Sequence, residues 1–108
     1  MPPGRYRHLI DIGIYTQKPD GWGDPDEAEW QSIAEVWASV EGLRGNQLFQ
    51  AQQMVEQADH KIVIRYRSDI EPGMIVRHDG RELTIRSALD EKGDRRELTI
   101  ICQEVRPS

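Results

Sequence analysis

The sequence predicts a mostly β protein, a small six-stranded antiparallel barrel or sandwich with one short helix inserted between the second and third strands. Three observations carry this expectation. Several short segments alternate apolar and polar residues with the period of two that a half-buried strand requires. Turn-forming pairs, Asp79-Gly80 above all, punctuate the later segments at hairpin spacing. One stretch alone, Leu43 to Gln57, changes to the spacing of a helix.

Residues 1–7, MPPGRYR, are Pro/Gly-rich and basic and read as a flexible arm. The first strand follows at His8–Tyr15, where Ile10, Ile12 and Ile14 alternate with Asp11 and Gly13. Gln17 to Glu29 is a turn-rich loop, long enough in a compact domain to suggest a working role. The second strand spans Ser32–Glu41, with Val36, Ala38 and Val40 on one face and Glu35, Trp37 and Ser39 on the other. Residues 43–58 form the helix/loop insertion. Leu48, Ala51 and Val55 recur at helical spacing, Asn46 is placed to cap the start, and Gln50, Gln53 and Gln57 make an uncharged polar stripe opposite.

The third strand, His60–Arg67, sets Ile62, Ile64 and Tyr66 against Lys61, Val63, Arg65 and Arg67. A turn at Asp69–Gly73 leads to a short fourth strand, Met74–Arg77. The fifth and sixth, 81–89 and 95–104, are joined by Asp90–Asp94. The string RELTI opens both, as Arg81–Ile85 and Arg96–Ile100. If these strands are antiparallel neighbours, Leu83 and Ile85 share the core with Leu98, Ile100 and Cys102, while Glu82, Thr84, Glu97 and Thr99 face outward. A third copy is lacking, which excludes a solenoid.

At 108 residues the chain is expected to be one domain, 1–108, with a modest core. Its net charge is −5, unevenly placed: residues 20–59 hold nine acids against Arg44 alone, and residues 60–108 hold ten Lys/Arg against nine acids. Tight, sequence-independent nucleic-acid binding rests on cations that neutralise phosphates, so this balance disfavours it. One cysteine, Cys102, allows no internal disulfide and suits a reducing, cytoplasmic setting. An export leader is not expected, and the apolar runs are shorter than the roughly 18 residues a bilayer span needs.

No catalytic, cofactor-binding or metal residue is nominated. The acids Asp20, Asp24, Asp26, Glu27 and Glu29 fail the calcium-loop pattern, because Trp22 and Pro25 fall at its third and sixth positions. His8, His60 and His78 lack ligand spacing, and Cys102 reads as a buried structural thiol. A phosphate-cradling Gly-rich loop and a nucleophile elbow are both missing from the sequence. Trp22 stands between glycines in Asp-Gly-Trp-Gly-Asp, the position of an interface anchor. Trp30 and Trp37 read as packing residues, Trp37 on the outward face.

Taken in order, these pieces resemble a known family. Arg7-His8-Leu9-Ile10-Asp11-Ile12 is similar to its opening strand. Asp20-Gly21-Trp22-Gly23, Trp30, Val36-Trp37-Ala38-Ser39-Val40, Leu43, Gly45 and Ala51-Gln52 follow. The most specific segment is His60-Lys61-Ile62-Val63-Ile64-Arg65-Tyr66-Arg67, then Ile70, Met74, Asp79-Gly80, Leu98, Ile100, Cys102 and Glu104. The chain resembles the head–tail joining, or head-closure (stopper), proteins of tailed bacteriophages and gene transfer agents. Leu83 departs from it, standing where the family often has tyrosine.

The resemblance implies a structural, non-enzymatic virion protein without cofactor, made in the host bacterial cytoplasm and located in the virion neck. It implies a homo-oligomeric ring, expected as a dodecamer in the particle and as a monomer when isolated. The ring would sit between the portal/adaptor ring and the tail terminator or tail tube protein, close the DNA-filled head and line the channel. DNA would pass without specific binding, and no membrane would be involved. Residues 43–58 correspond to the segment that reaches the channel, which makes Gln50, Gln53 and Gln57 candidate lumen residues. Trp22, Trp37, Lys61, Arg65 and Arg67 are candidate subunit or partner contacts, the cations set against the acidic 20–59 block. Two alternatives stay open: a tail-completion or terminator ring protein, and a barrel-type nucleic-acid-binding module.

Overall fold

Branched side chains at alternate positions give strands that must each bury one face, and six such strands do so by closing on one another. The computed structural model describes residues 6–16 and 28–105. In chain order the elements are β1 (His8–Thr16), β2 (Glu29–Gly42), α1 (Gly45–Met54), β3 (His60–Arg65), β4 (Ile75–His78), β5 (Arg81–Leu89) and β6 (Glu97–Glu104). The strands form a closed barrel in the order β1-β2-β3-β6-β5-β4, antiparallel at every seam. Closure removes the sheet edges that would otherwise invite unwanted strand pairing.

The core is the set of inward residues the alternation nominates. Ile10, Ile12, Ala38, Ile62, Ile64, Val76, Leu83, Ile85, Leu98, Ile100 and Cys102 are buried together, with Val36, Val40, Tyr66, Met74 and Ala88 packed against them. The strands β3 and β4 lie on opposite sides of the barrel, so the chain between them must span one open end. Ile70 in that connection turns into the core. Gly73 N–H donates to Ile85 O and Ile85 N–H to Met74 O, both at 2.8 Å, which ties the connection to β5.

Two bulges bend the sheet into closure. In the β1–β2 ladder Ile12 faces Ala34 and Gly13 faces Ser32, leaving Ile33 as the extra residue. In the β5–β6 ladder Ile85 faces Cys102 and Ser87 faces Ile101, leaving Arg86 extra. The hairpin of the two RELTI copies forms as expected, with Leu83 and Ile85 inside beside Cys102. Beyond Arg86 the inward parity of β5 changes, so that Ala88, opposite Ile100, turns inward. The β4–β5 turn places Asp79 and Gly80 at φ of 52° and 75°, the double left-handed pair of a type I′ hairpin.

Several boundaries differ from the sequence-based expectation. β2 begins at Glu29, because residues 29–32 continue the ladder with β1 beyond the bulge. α1 is shorter than Leu43–Gln57, and Asn46 lies inside it rather than at its cap. Arg44 occupies that position without a side-chain capping bond.

Candidate assembly surface

Outward side chains decide what this barrel can touch. Leu9 on β1 faces Trp37 on β2, and both are well exposed, at 44% and 43%. The outward row continues through Arg65 on β3 to Glu97 on β6, which are direct cross-strand partners. Trp37 therefore stands out from the barrel rather than packing within it. Beside it Tyr6, Val36, Arg65, Tyr66 and Arg67 complete a groove of about 330 Å³. Tyr6, just before β1, donates its hydroxyl to Glu97 of β6. Arg67 makes a two-pronged bond to Asp69, Nε–Oδ1 3.0 Å and Nη2–Oδ2 2.8 Å. That guanidinium holds the Asp69 carboxyl below the usual carboxylate range.

A second groove, about 300 Å³, separates α1 from the outer face of β3, β6 and β5. Leu43, Ala51, Met54 and Val55 line one wall, and Lys61, Leu89, Thr99 and Ile101 the other. No residue of α1 is buried, and Phe49 (65%), Met54 (76%) and Leu89 (50%) are exposed. The insertion is pinned instead at its base. Leu43 N–H donates to Asp59 O at 2.9 Å, Asp59 N–H to Cys102 O at 3.0 Å, and Ala58 is fully buried. The Asp59 carboxylate accepts the Glu104 N–H at 2.9 Å and contacts His60 Nδ1 at 2.7 Å.

A third constellation sits on the outer face at the ends of β1 and β2 that flank residues 17–27. Arg77 of β4 lies 4.1 Å from the Trp30 ring and 5.5 Å from the Tyr15 ring. It also donates to the Tyr15 hydroxyl at 2.8 Å and to Glu82 at 3.2 Å. Trp30 Nε1–H donates to Asp11 at 3.0 Å. Gly13 makes this stack possible, since a Cβ there would come within 2.3 Å of Gln31 O and 2.8 Å of the Trp30 ring.

At the barrel mouth nearer α1, inward parity brings histidines together. The His8 and His78 rings meet edge to face at 4.9 Å, and His60 Nε2 lies 3.9 Å from Glu104. Burial, then the neighbouring His8, lowers the His78 pKa. Among the described residues there is no group of three or more His, Cys, Asp or Glu side chains placed to hold a metal ion. Burial, helped by Asp59, pushes the Cys102 thiol up to about 12, which leaves it protonated and unreactive.

The sequence model of the phage head completion protein family matches residues 1–105. The chain belongs to this family. Its members are structural virion proteins of phages. Among solved structures, the solution structure of protein SF1141 from Shigella flexneri 2a is 27% identical over 100% of both chains, with a TM-score of 0.76. A chain from the virion of a native gene transfer agent particle superposes with a TM-score of 0.60 at 19% identity. It covers 94% of this chain and 97% of its own, a likeness of fold. A search among curated proteins returned no match.

Within this head completion protein the residues singled out from sequence divide into separate places. Trp37, Arg65 and Arg67 come together in one groove. Lys61 lies apart from them, in the α1 groove with Gln50. Gln53 is exposed on α1, whereas Gln57 falls beyond the helix and bonds to Gln103 of β6 at 2.7 Å, so the three glutamines form no continuous stripe. Trp22 and the acids at 20–27 lie outside the described residues. Sequence reasoning passed over the Tyr15–Trp30–Arg77–Glu82 stack, although Tyr15 and Trp30 bracket the long loop symmetrically. It also missed the meeting of His8 with His78, which only the β1–β4 closure creates.

Proposed function

We propose that this protein assembles as a homo-oligomeric ring in the neck of a phage-type particle. There it joins the portal/adaptor ring to the tail, closes the DNA-filled head and lines the DNA channel. Family membership supports a structural role at the head. The observation that carries the finer reading is a closed barrel bearing a helix none of whose residues is fully buried, with Leu48 and Ala51 half-buried toward the barrel and Phe49 and Met54 exposed. A helix so weakly buried gains stability from partners or lines a solvent-filled space. In the ring, α1 is assigned toward the channel with Gln53 at its surface, and the exposed Trp37 groove with Arg65 and Arg67 toward a neighbouring subunit. A dodecamer is the stoichiometry proposed, and the role is structural rather than catalytic. A net charge of −5 fits a channel that lets DNA slide instead of gripping its phosphates.

Purified protein mixed with DNA-filled, tailless heads and, separately, with free tails tests this reading. Co-sedimentation with heads at the portal vertex is the expected result. Binding to free tails alone would replace the reading with a tail-terminator role, and a salt-sensitive shift of single-stranded DNA would favour the nucleic-acid module.

A further inference from the structure

We infer that His8 and His78 form a proton-sensitive latch at the mouth of the barrel. As neutral rings they hold the tip of the β4–β5 hairpin against β1, and protonation parts them and frees that end of the closing seam. The latch belongs to the single chain and needs no partner.

The barrel closes where β1 meets β4. Across that seam Asp11 pairs with Arg77, Ile12 with Val76 and Gly13 with Ile75, the shortest of the six ladders. Toward the mouth the ladder stops and the two imidazoles take over, edge to face at 4.9 Å. On the outer surface the same seam is clasped by Arg77, which bonds to the Tyr15 hydroxyl and to Glu82. Those bonds raise the Arg77 pKa, so the clasp stays charged while histidines titrate. The imidazole pair is the part of this seam that responds near neutral pH.

His8 lies exposed at the rim and His78 is half-buried. Their neighbours do little to absorb a second positive charge. β2 sets the apolar Ala38 opposite His8, and Asp11 of β1 is held outward by Trp30. The hairpin partner of His78 is the cation Arg81. His60 of β3 adds to the positive field, and Asp79 in the turn opposes it. The other acids at the mouth serve other groups. Glu104 of β6 lies 3.8 Å from Arg81 Nη1 and 3.9 Å from His60 Nε2, and Asp59 lies 2.7 Å from His60 Nδ1. His60 thus has counter-ions of its own, whereas His8 and His78 face each other. Two like charges so placed repel, and the half-buried one also loses hydration. A state in which the rings move apart into water binds protons more tightly, so acid shifts the population toward it.

NMR on the full chain tests the latch. Hydrogen exchange, corrected for the intrinsic pH dependence of the chemistry, should speed up several-fold at the β1–β4 seam between about pH 8 and about pH 5. The β3–β6 seam should keep its protection over the same range. His8→Gln should raise the titration midpoint of His78, read from its ring protons, and flatten the response of the seam. His78→Gln should flatten it as well, and the two changes together should do no more than either alone. Equal acceleration at both seams would mean a global loosening and would overturn the latch, a comparison that needs the wild-type protein alone. A His78 midpoint unmoved by His8→Gln would overturn it too.

Discussion

At the scale of single residues, chemistry is set by what the fold places beside each side chain. Gly13 is the clearest case, because the backbone of β2 and the Trp30 ring occupy the space a Cβ needs. Gly13→Ala should destabilise by roughly 1–3 kcal/mol, as overpacking does. Differential scanning calorimetry should read that as a fall of roughly 4–8 °C per kcal/mol. His78 carries a pH dependence. Its folded pKa is lowered from the usual 6.5 by burial and by His8, with Arg81 and His60 acting the same way and Asp79 opposing them. A depressed pKa means that the unfolded chain takes the proton first. The contribution is complete above about 6.5 and is lost as pH falls through the lower folded value. Thermal melts should therefore show stability declining on acidification, with a shallower decline in His78→Gln; parallel curves for the two proteins would contradict the assignment. From the sequence, the inward isoleucines were legible because alternation is a local property. The His8–His78 contact was not, since it arises from closure between strands 70 residues apart.

At the scale of elements, the strands were readable and their edges were not. The period of two located all six, including both RELTI strands, but could not show that Arg86 bulges and reverses the parity of β5 beyond it. Nor could it show that β2 runs on to Glu29, past a bulge at Ile33. α1 was legible as a helix from Leu48 and Ala51, yet its polar stripe was misjudged because Gln57 leaves the helix. An element with no fully buried residue should be removable at small cost. Replacing residues 44–57 by a short Gly/Ser turn, with Leu43, Ala58 and Asp59 kept, should leave the barrel's melting midpoint within a few degrees. The same excision should abolish head closure. A collapse of the barrel on excision, measured by circular dichroism, would show that α1 is structural after all.

At the scale of the whole molecule, a closed barrel leaves assembly to its outward face. That face carries an exposed tryptophan on β2 and a helix-roofed groove over β3, β6 and β5, and the chain's 14 Lys/Arg are outnumbered by 19 acids, which disfavours gripping DNA. Fold class and family were legible because order and spacing of strands extend along nearly the whole chain. The assembly surface was legible only in part. Outward parity nominated Trp37, Arg65 and Arg67 together, but Lys61, on the same strand and face as Arg65, lies in a different groove. The central claim is that this protein closes the filled head, and DNA retention measures it most directly. Heads matured without the protein should lose their DNA on incubation, and adding it back should restore retention in proportion to the amount bound at the portal vertex. Heads that hold their DNA equally well with and without it would contradict the account.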